Sequence, residues 1–150
     1  MLKKIDRYSD IFAKYLLAIL MVAMTITVLL GVLFRYFLKM SFPWSEELAR
    51  YLMIWIGFLG SSIALREGAH VGVKFFINAM PKKVSNYFIF VSRVLIIVFL
   101  LFIIKYGLSM AMRNIDQISP VMQLSMFIPY FAIPFSGILM LIYMVKSFKG

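Results

Sequence analysis

Residues 15–34 read YLLAILMVAMTITVLLGVLF, twenty consecutive residues without a charge. A helix rises about 1.5 Å per residue, so a run of this length crosses the roughly 30 Å hydrocarbon core of a bilayer once. Lys3, Lys4 and Arg7 precede it, as they would in a secretory leader. The apolar run is too long for a leader, however, and Arg35 follows it where a small-x-small cleavage site would stand. The sequence therefore predicts an uncleaved first span over about 12–36. Lys3, Arg7, Asp10 and Lys14 share one helical face, with Leu2, Ile5 and Phe12 elsewhere. That pattern predicts a short interfacial helix over about 2–11 leading into the span.

The same signal recurs along the chain. Residues 41–47, SFPWSEE, read as a turn and a helix start, with Ser45 as the expected cap and Glu46 and Glu47 at the positive helix end. A second span follows over about 45–66. Its strictly uncharged part, 51–65, is short, so Glu46, Glu47, Arg50 and Arg66 must stand near the interfaces. Val73, Phe76, Ile77 and Met80 follow helical spacing before Pro81, which predicts a second interfacial helix over about 72–80 on the cytoplasmic surface. A third span covers about 84–112 and contains Arg93 and Lys105. A fourth, about 122–146, contains Pro129 and Pro134, so its outer half is expected to be kinked or irregular.

The 150 residues are 63% hydrophobic and 15% charged. No soluble core of this size hides so much apolar surface, which predicts one all-α integral membrane domain over 1–150 with the bilayer as solvent. The net charge of +10 does not indicate nucleic acid, because the basic residues stand at the ends of apolar runs. With the N-terminus inside, the inner segments carry eleven Lys and Arg and the outer segments five. Both termini are then expected in the cytoplasm. No internal repeat is visible, unlike the matched halves of many transporters. The chain has no cysteine and one histidine, His70, too few ligands for a dihaem protein. It also has no glycine loop for a nucleotide.

Four features can carry function, each with a plainer alternative. Ala23, Thr27, Gly31 and Arg35 in span one, and Gly57, Ser61 and Ala64 with Gly60 in span two, form small-residue stripes. Such stripes report close helix contact, within this chain or with a partner. Arg35, Trp44, Glu46, Glu47 and Arg50 form an outer cluster, in which Glu46 and Arg50 are spaced for an i, i+4 pair and Arg35 stands within reach of Glu46 or Glu47. The cluster is either a structural clamp or a docking site, and without a nucleophile or metal ligands it is not a catalytic carboxylate pair. Arg66 and His70 close span two on the inner side, where a lone histidine more often caps than binds metal. Arg93 and Lys105 either snorkel to lipid or meet charges of another chain.

Arg35-Tyr36, the run Pro43 to Arg50 (PWSEELAR), Trp55, Phe58-Leu59-Gly60, Arg66 and Gly68-Ala69-His70-Val71 together resemble the signature of the small membrane subunit of tripartite ATP-independent periplasmic (TRAP) transporters. Ser119-Pro120, Pro134 and Gly137 resemble that family's last loop and helix. The match runs from about 30 to 140 and is specific between Arg35 and Val71. Lys74 and Ser125 depart from it, standing where aspartate and proline are common. The resemblance implies four helices, cytoplasmic termini and a bacterial inner membrane. It implies two partners: a periplasmic binding protein that captures the substrate, and a large membrane subunit that carries it across, driven by a sodium gradient. This chain would brace the large subunit and hold no cofactor, with sodium ions in the partner. Implied substrates are organic acids such as C4-dicarboxylates, keto acids or sialic acid, with the chain most similar to free-standing small subunits of sialic acid systems.

Two rivals come from other classes. A self-sufficient four-helix multidrug-type exporter would act as a dimer and carry a membrane glutamate in its first helix, and span one has no acidic residue. A subunit of a redox enzyme complex would need ligands that this chain lacks.

Overall fold

The computed structural model describes residues 2–37, 39, 42–67 and 82–147, with the side chains of 2–10, 82–83, 86 and 146–147 left outside the description. Four helices follow one another: α1 Leu2–Phe37, α2 Pro43–Arg66, α3 Lys82–Arg113 and α4 Phe127–Ser147. Each contains a stretch long and apolar enough to cross a bilayer. Helices are the natural solution there, because a helix satisfies its backbone N–H and C=O groups internally where no water can.

Several boundaries differ from the sequence expectation, for physical reasons. Residues 2–11 do not form a separate interfacial helix, because α1 continues through them without a break. No proline interrupts α1, and its one glycine, Gly31, lies far from that end. Helix α2 starts at Pro43, before the expected Ser45, since proline's fixed φ suits the first helical position. Ser45 therefore lies inside the first turn and its hydroxyl donates to the Phe42 carbonyl at 2.8 Å. Helix α4 begins at Phe127, five residues later than expected, because residues 117–126 find other hydrogen-bond partners. The irregular stretch thus precedes the prolines, and Pro134 lies within regular helix. The expected interfacial helix over 72–80 and His70 lie outside the described residues.

Helix contacts run in the order α1–α2–α4–α3. Among the described residues α1 touches neither α3 nor α4, and α2 does not touch α3. The four helices form an open layer, not a closed bundle. Two antiparallel hairpins, α1/α2 and α3/α4, join along α2 and α4, which run parallel. Trp55 against Phe135 (ring centroids 5.8 Å apart) and Arg66 over the Tyr143 ring (5.3 Å) mark that seam. The buried core is correspondingly thin: Leu59, Ser62, Ala132 and Ser136 on α2 and α4, with Pro134 of α4 and Leu100 and Ala111 of α3. Most large apolar side chains of α1 and α3 are exposed. In water this would be prohibitive, whereas in a bilayer they face lipid or another subunit.

Where helices approach closely, glycine permits it. A Cβ on Gly107 of α3 would lie 2.8 Å from Ile133 Cγ2 and 3.2 Å from Pro134 Cδ. A Cβ on Gly137 of α4 would lie 3.0 Å from Ile104 Cγ1. By contrast, nothing lies within 4 Å of the corresponding position on Gly57 or Gly60. Gly107→Ala should therefore destabilise the isolated subunit by about 1–3 kcal/mol through overpacking, whereas Gly57→Ala should not. Thermal unfolding in detergent, followed by circular dichroism, measures the contrast, and equal midpoints for the two variants would contradict this packing.

Candidate functional site

Two ion pairs bracket the α1/α2 hairpin. Arg35 pairs with Glu46 at one end, and Lys14 Nζ meets Glu67 Oε1 at 2.7 Å at the other. Lys14 and Arg35 stand twenty-one positions apart on α1, and Glu46 and Glu67 the same number apart on α2. That spacing is about 30 Å of helix, the thickness of the hydrocarbon core. The pairs thus mark two interfacial levels with largely uncharged helix between: α1 carries no charge from 15 to 34, and α2 carries Glu47 and Arg50 near one level and Arg66 beside the other.

The sequence presents Glu46 and Glu47 as equivalent, but the structure separates them. Glu46 is exposed and paired with Arg35, the two side chains being 58% and 61% accessible. The expected i, i+4 pair with Arg50 does not form. Arg50 is exposed and makes no ion pair among the described residues. Glu47 points about a hundred degrees around the helix from Glu46 and is only 6% exposed. Its Oε1 accepts from the Tyr51 hydroxyl at 2.7 Å, and its Oε2 accepts from the backbone N–H groups of Val121 (3.0 Å) and Met122 (3.3 Å). A carboxylate that accepts several hydrogen bonds can stay charged away from water.

The loop that Glu47 holds is otherwise self-satisfied. Ser119 N donates to Leu124 O at 2.9 Å and Met126 N to Gln117 O at 2.8 Å. Leu124 N donates to the Ser119 hydroxyl at 3.1 Å. Gln123 takes a φ of 53°, the left-handed conformation that lets so tight a turn close. Ser125, which departs from the resembled pattern, donates to Ile115 O at 2.6 Å and accepts from Phe127 N at 3.2 Å, so it caps α4. Val121 and Met122 hydrogen-bond to a side chain more than seventy residues upstream. No local pattern in the sequence announces that partner, and this is why α4 starts later than the apolar pattern predicts.

The remaining candidates fall apart spatially. Trp44 meets Phe42 edge-on at 6.2 Å beside the Arg35–Glu46 pair. On α1, Thr27 is buried and Gly31 lies against Ser45, so that stripe packs inside the chain. On α2, Arg50, Gly57, Ser61 and Ala64 are all exposed, with Gly60 half-buried beside them. The Ser61 hydroxyl turns back to the Gly57 carbonyl at 2.7 Å. The sequence reading missed Gly107, whose signal was only a glycine within an apolar helix. Among the described residues no three His, Asp or Glu side chains group as metal ligands would.

At the far level, the hydrogen bond from Lys14 holds the Glu67 carboxyl below its ordinary value, helped by the charge of the same ammonium. The contribution of that pair is present above the ordinary carboxylate range and is lost as pH falls through the lowered value. With both side chains well exposed it is small.

Glu47→Ala should leave the Val121 and Met122 N–H groups without their acceptor and cost about 1–3 kcal/mol for each that stays buried, while the Tyr51 hydroxyl keeps the weak Met126 sulfur. Glu46→Ala should cost at most about 1 kcal/mol, the range of an exposed pair. Thermal unfolding combined with limited proteolysis of residues 117–126 separates the two, and equal losses for both variants would refute the division of roles.

Comparison with known proteins bears on this architecture. A family model described as "Tripartite ATP-independent periplasmic transporters, DctQ component" matches residues 24–149. The chain is 27% identical over 139 residues to a putative TRAP transporter small permease protein of Haemophilus influenzae, covering 93% of this chain and 86% of that one. It is 32% identical over 80 residues to the sialic acid TRAP transporter small permease protein SiaQ of Vibrio cholerae, covering 53% of this chain and 46% of that one. It is also 29% identical over 102 residues to the sialic acid TRAP transporter permease protein SiaT of H. influenzae, covering 68% of this chain but 17% of that longer protein. The family match takes in the second half of α1 and all of α2, α3 and α4, so the chain belongs to the DctQ-component family of TRAP transporters and is a multi-pass inner-membrane transporter component, not an enzyme.

Proposed function

We propose that this chain is the accessory small subunit of a TRAP transporter. It braces a large membrane subunit that takes up an organic acid delivered by a periplasmic binding protein, coupled to a sodium gradient. The observation that carries this is the open layer with its exposed small-residue face on α2. A single layer of four helices, whose α1 meets neither α3 nor α4 among the described residues, presents a long, nearly uncharged surface. Small residues at Gly57, Ser61 and Ala64 let a partner helix approach closely. The chain also carries no acidic residue between the two interfacial levels, apart from the buried structural Glu47 near one of them. It therefore lacks the carboxylates of a sodium or proton path, and sodium binding belongs to the large subunit.

Several relatives are named for an acid or its anion: sialic acid, isethionate or C4-dicarboxylate. They support an organic acid as substrate here, with sialic acid the leading candidate on the SiaQ likeness. The dimeric exporter alternative is not favoured, since α1 has no acidic residue between Lys14 and Arg35.

The excess of Lys and Arg toward the Lys14–Glu67 level supports a cytoplasmic position for that level and for both termini. Recovery of the full chain from native membranes in mild detergent, with mass spectrometry of what accompanies it, should yield a large polytopic protein at equal stoichiometry. A homodimer alone would overturn the assignment. A cysteine at Lys39 should react with an impermeant periplasmic reagent and one at Lys82 should not, and the opposite pattern would invert the orientation.

A further inference from the structure

We propose that the free edge of α3, centred on Lys105, docks against a membrane helix of the large subunit that carries a carboxylate at the same depth. This rests on the accessory-subunit function above and adds the surface and chemistry of the contact.

The depth of Lys105 follows from packing. Gly107 lies against Ile133 and Pro134, and Gly137 against Ile103 and Ile104, so α3 and α4 run antiparallel in a fixed register. Extended along both helices, this register sets Arg93 level with the end of α4 at Ser147 and Arg113 level with its start at Phe127. The two arginines therefore stand at the two interfaces, about 30 Å apart along α3. Lys105 lies between them, about 18 Å from Arg93 and 12 Å from Arg113 at 1.5 Å per residue. It is the only charge on α3 inside that interval. A four-carbon stem spans about half of the shorter distance, so snorkelling does not bring its ammonium to the interface.

Lys105 also points away from its own chain. Leu100, Gly107 and Ala111 form the buried side of α3, against α4. Lys105 is exposed on the opposite side, with Val94, Val98, Leu101 and Met112. Its Nζ lies 5.8 Å from the Tyr106 ring centroid, a weak contact that does not neutralise a charge. Among the described residues no carboxylate reaches it. None of the chain's six acidic residues is available at that depth. Asp6 and Asp10 lie before the first span, Asp116 follows α3, Glu46 and Glu67 are paired at the interfaces, and Glu47 is committed to the loop. An ammonium facing hydrocarbon turns to a counter-ion, and here that counter-ion must come from another molecule.

The layer has a second free edge for comparison. Between Lys14 and Arg35, α1 carries no charge and exposes Ile19, Val22, Ile26 and Leu30, a surface suited to lipid. The two edges differ in the one feature that lipid tails cannot accommodate, which assigns α3 to protein.

The test uses the full chain co-expressed with its large subunit and recovered in mild detergent. Wild type and Lys105→Arg should recover the large subunit equally. Lys105→Met should recover at least about tenfold less, because a carboxylate in the partner is left unpaired, and Lys105→Glu should recover none. The thermal midpoint of the small subunit alone should not move in Lys105→Met. A photo-crosslinker at Phe102, one turn away in an otherwise wild-type chain, should attach to the large subunit, and one at Ile19 on α1 should not. Wild-type-like recovery by Lys105→Met would show that the ammonium meets no carboxylate of the large subunit and overturn the proposal. So would crosslinks from Phe102 to lipid only, and this arm decides the matter if Lys105→Met does not accumulate. A wild-type chain that recovers no large subunit would remove the accessory-subunit function as well, which separates the two failures.

Discussion

The seam between α2 and α4 is the joint on which the layer depends. It is the only contact between the two hairpins among the described residues, and at one end it is closed by the Glu47 carboxylate on the backbone of Val121 and Met122. Apolar packing alone cannot fix such a seam in a bilayer, because lipid tails compete on equal terms with leucine. A buried carboxylate facing N–H donors has no equal competitor in hydrocarbon. It therefore sets the register of α4 on α2, and α4 carries α3 with it through Gly107 and Gly137. At the opposite end the guanidinium of Arg66 over Tyr143 marks the same alignment.

The spans were legible in the sequence because each is a local property: an uncharged run of sufficient length, ended by charge. One end of the α1/α2 hairpin was nearly as legible, since Arg35 closes span one within reach of Glu46, whereas the Lys14–Glu67 pair at the other end joins residues 53 positions apart and was not. What was not legible depends on partners far along the chain. Residues 117–126 are apolar enough to continue α4, and they stay irregular because Glu47 and Ser119 take their N–H groups. Adjacent Glu46 and Glu47 look alike in one dimension, and only the hundred-degree step of the helix sends one to Arg35 and the other into the loop. The small-residue stripes show the same limit. Composition marked Gly31 and Gly57 alike, but one lies against Ser45 and the other faces open space.

That open space is consistent with how membrane subunits associate. Close packing between helices is worth more in lipid when backbones approach, so a glycine and serine face left uncovered by its own chain is a surface kept for another. A closed four-helix bundle would have spent those residues internally. The open layer instead maximises perimeter for its length, at the cost of a thin core.

The distribution of charge completes the logic of a brace. Arg35, Glu46, Lys14 and Glu67 fix the hairpin at both interfaces, where exposed pairs are inexpensive and orientation is set by the bilayer itself. Between those levels the chain carries little charge, as helices that face lipid or other helices require. Lys105 is the exception: it stands on the side of α3 turned away from α4, where no other described helix meets it. A charge that is costly in hydrocarbon and unmatched by any described carboxylate of its own chain fits a counter-charge beyond that edge.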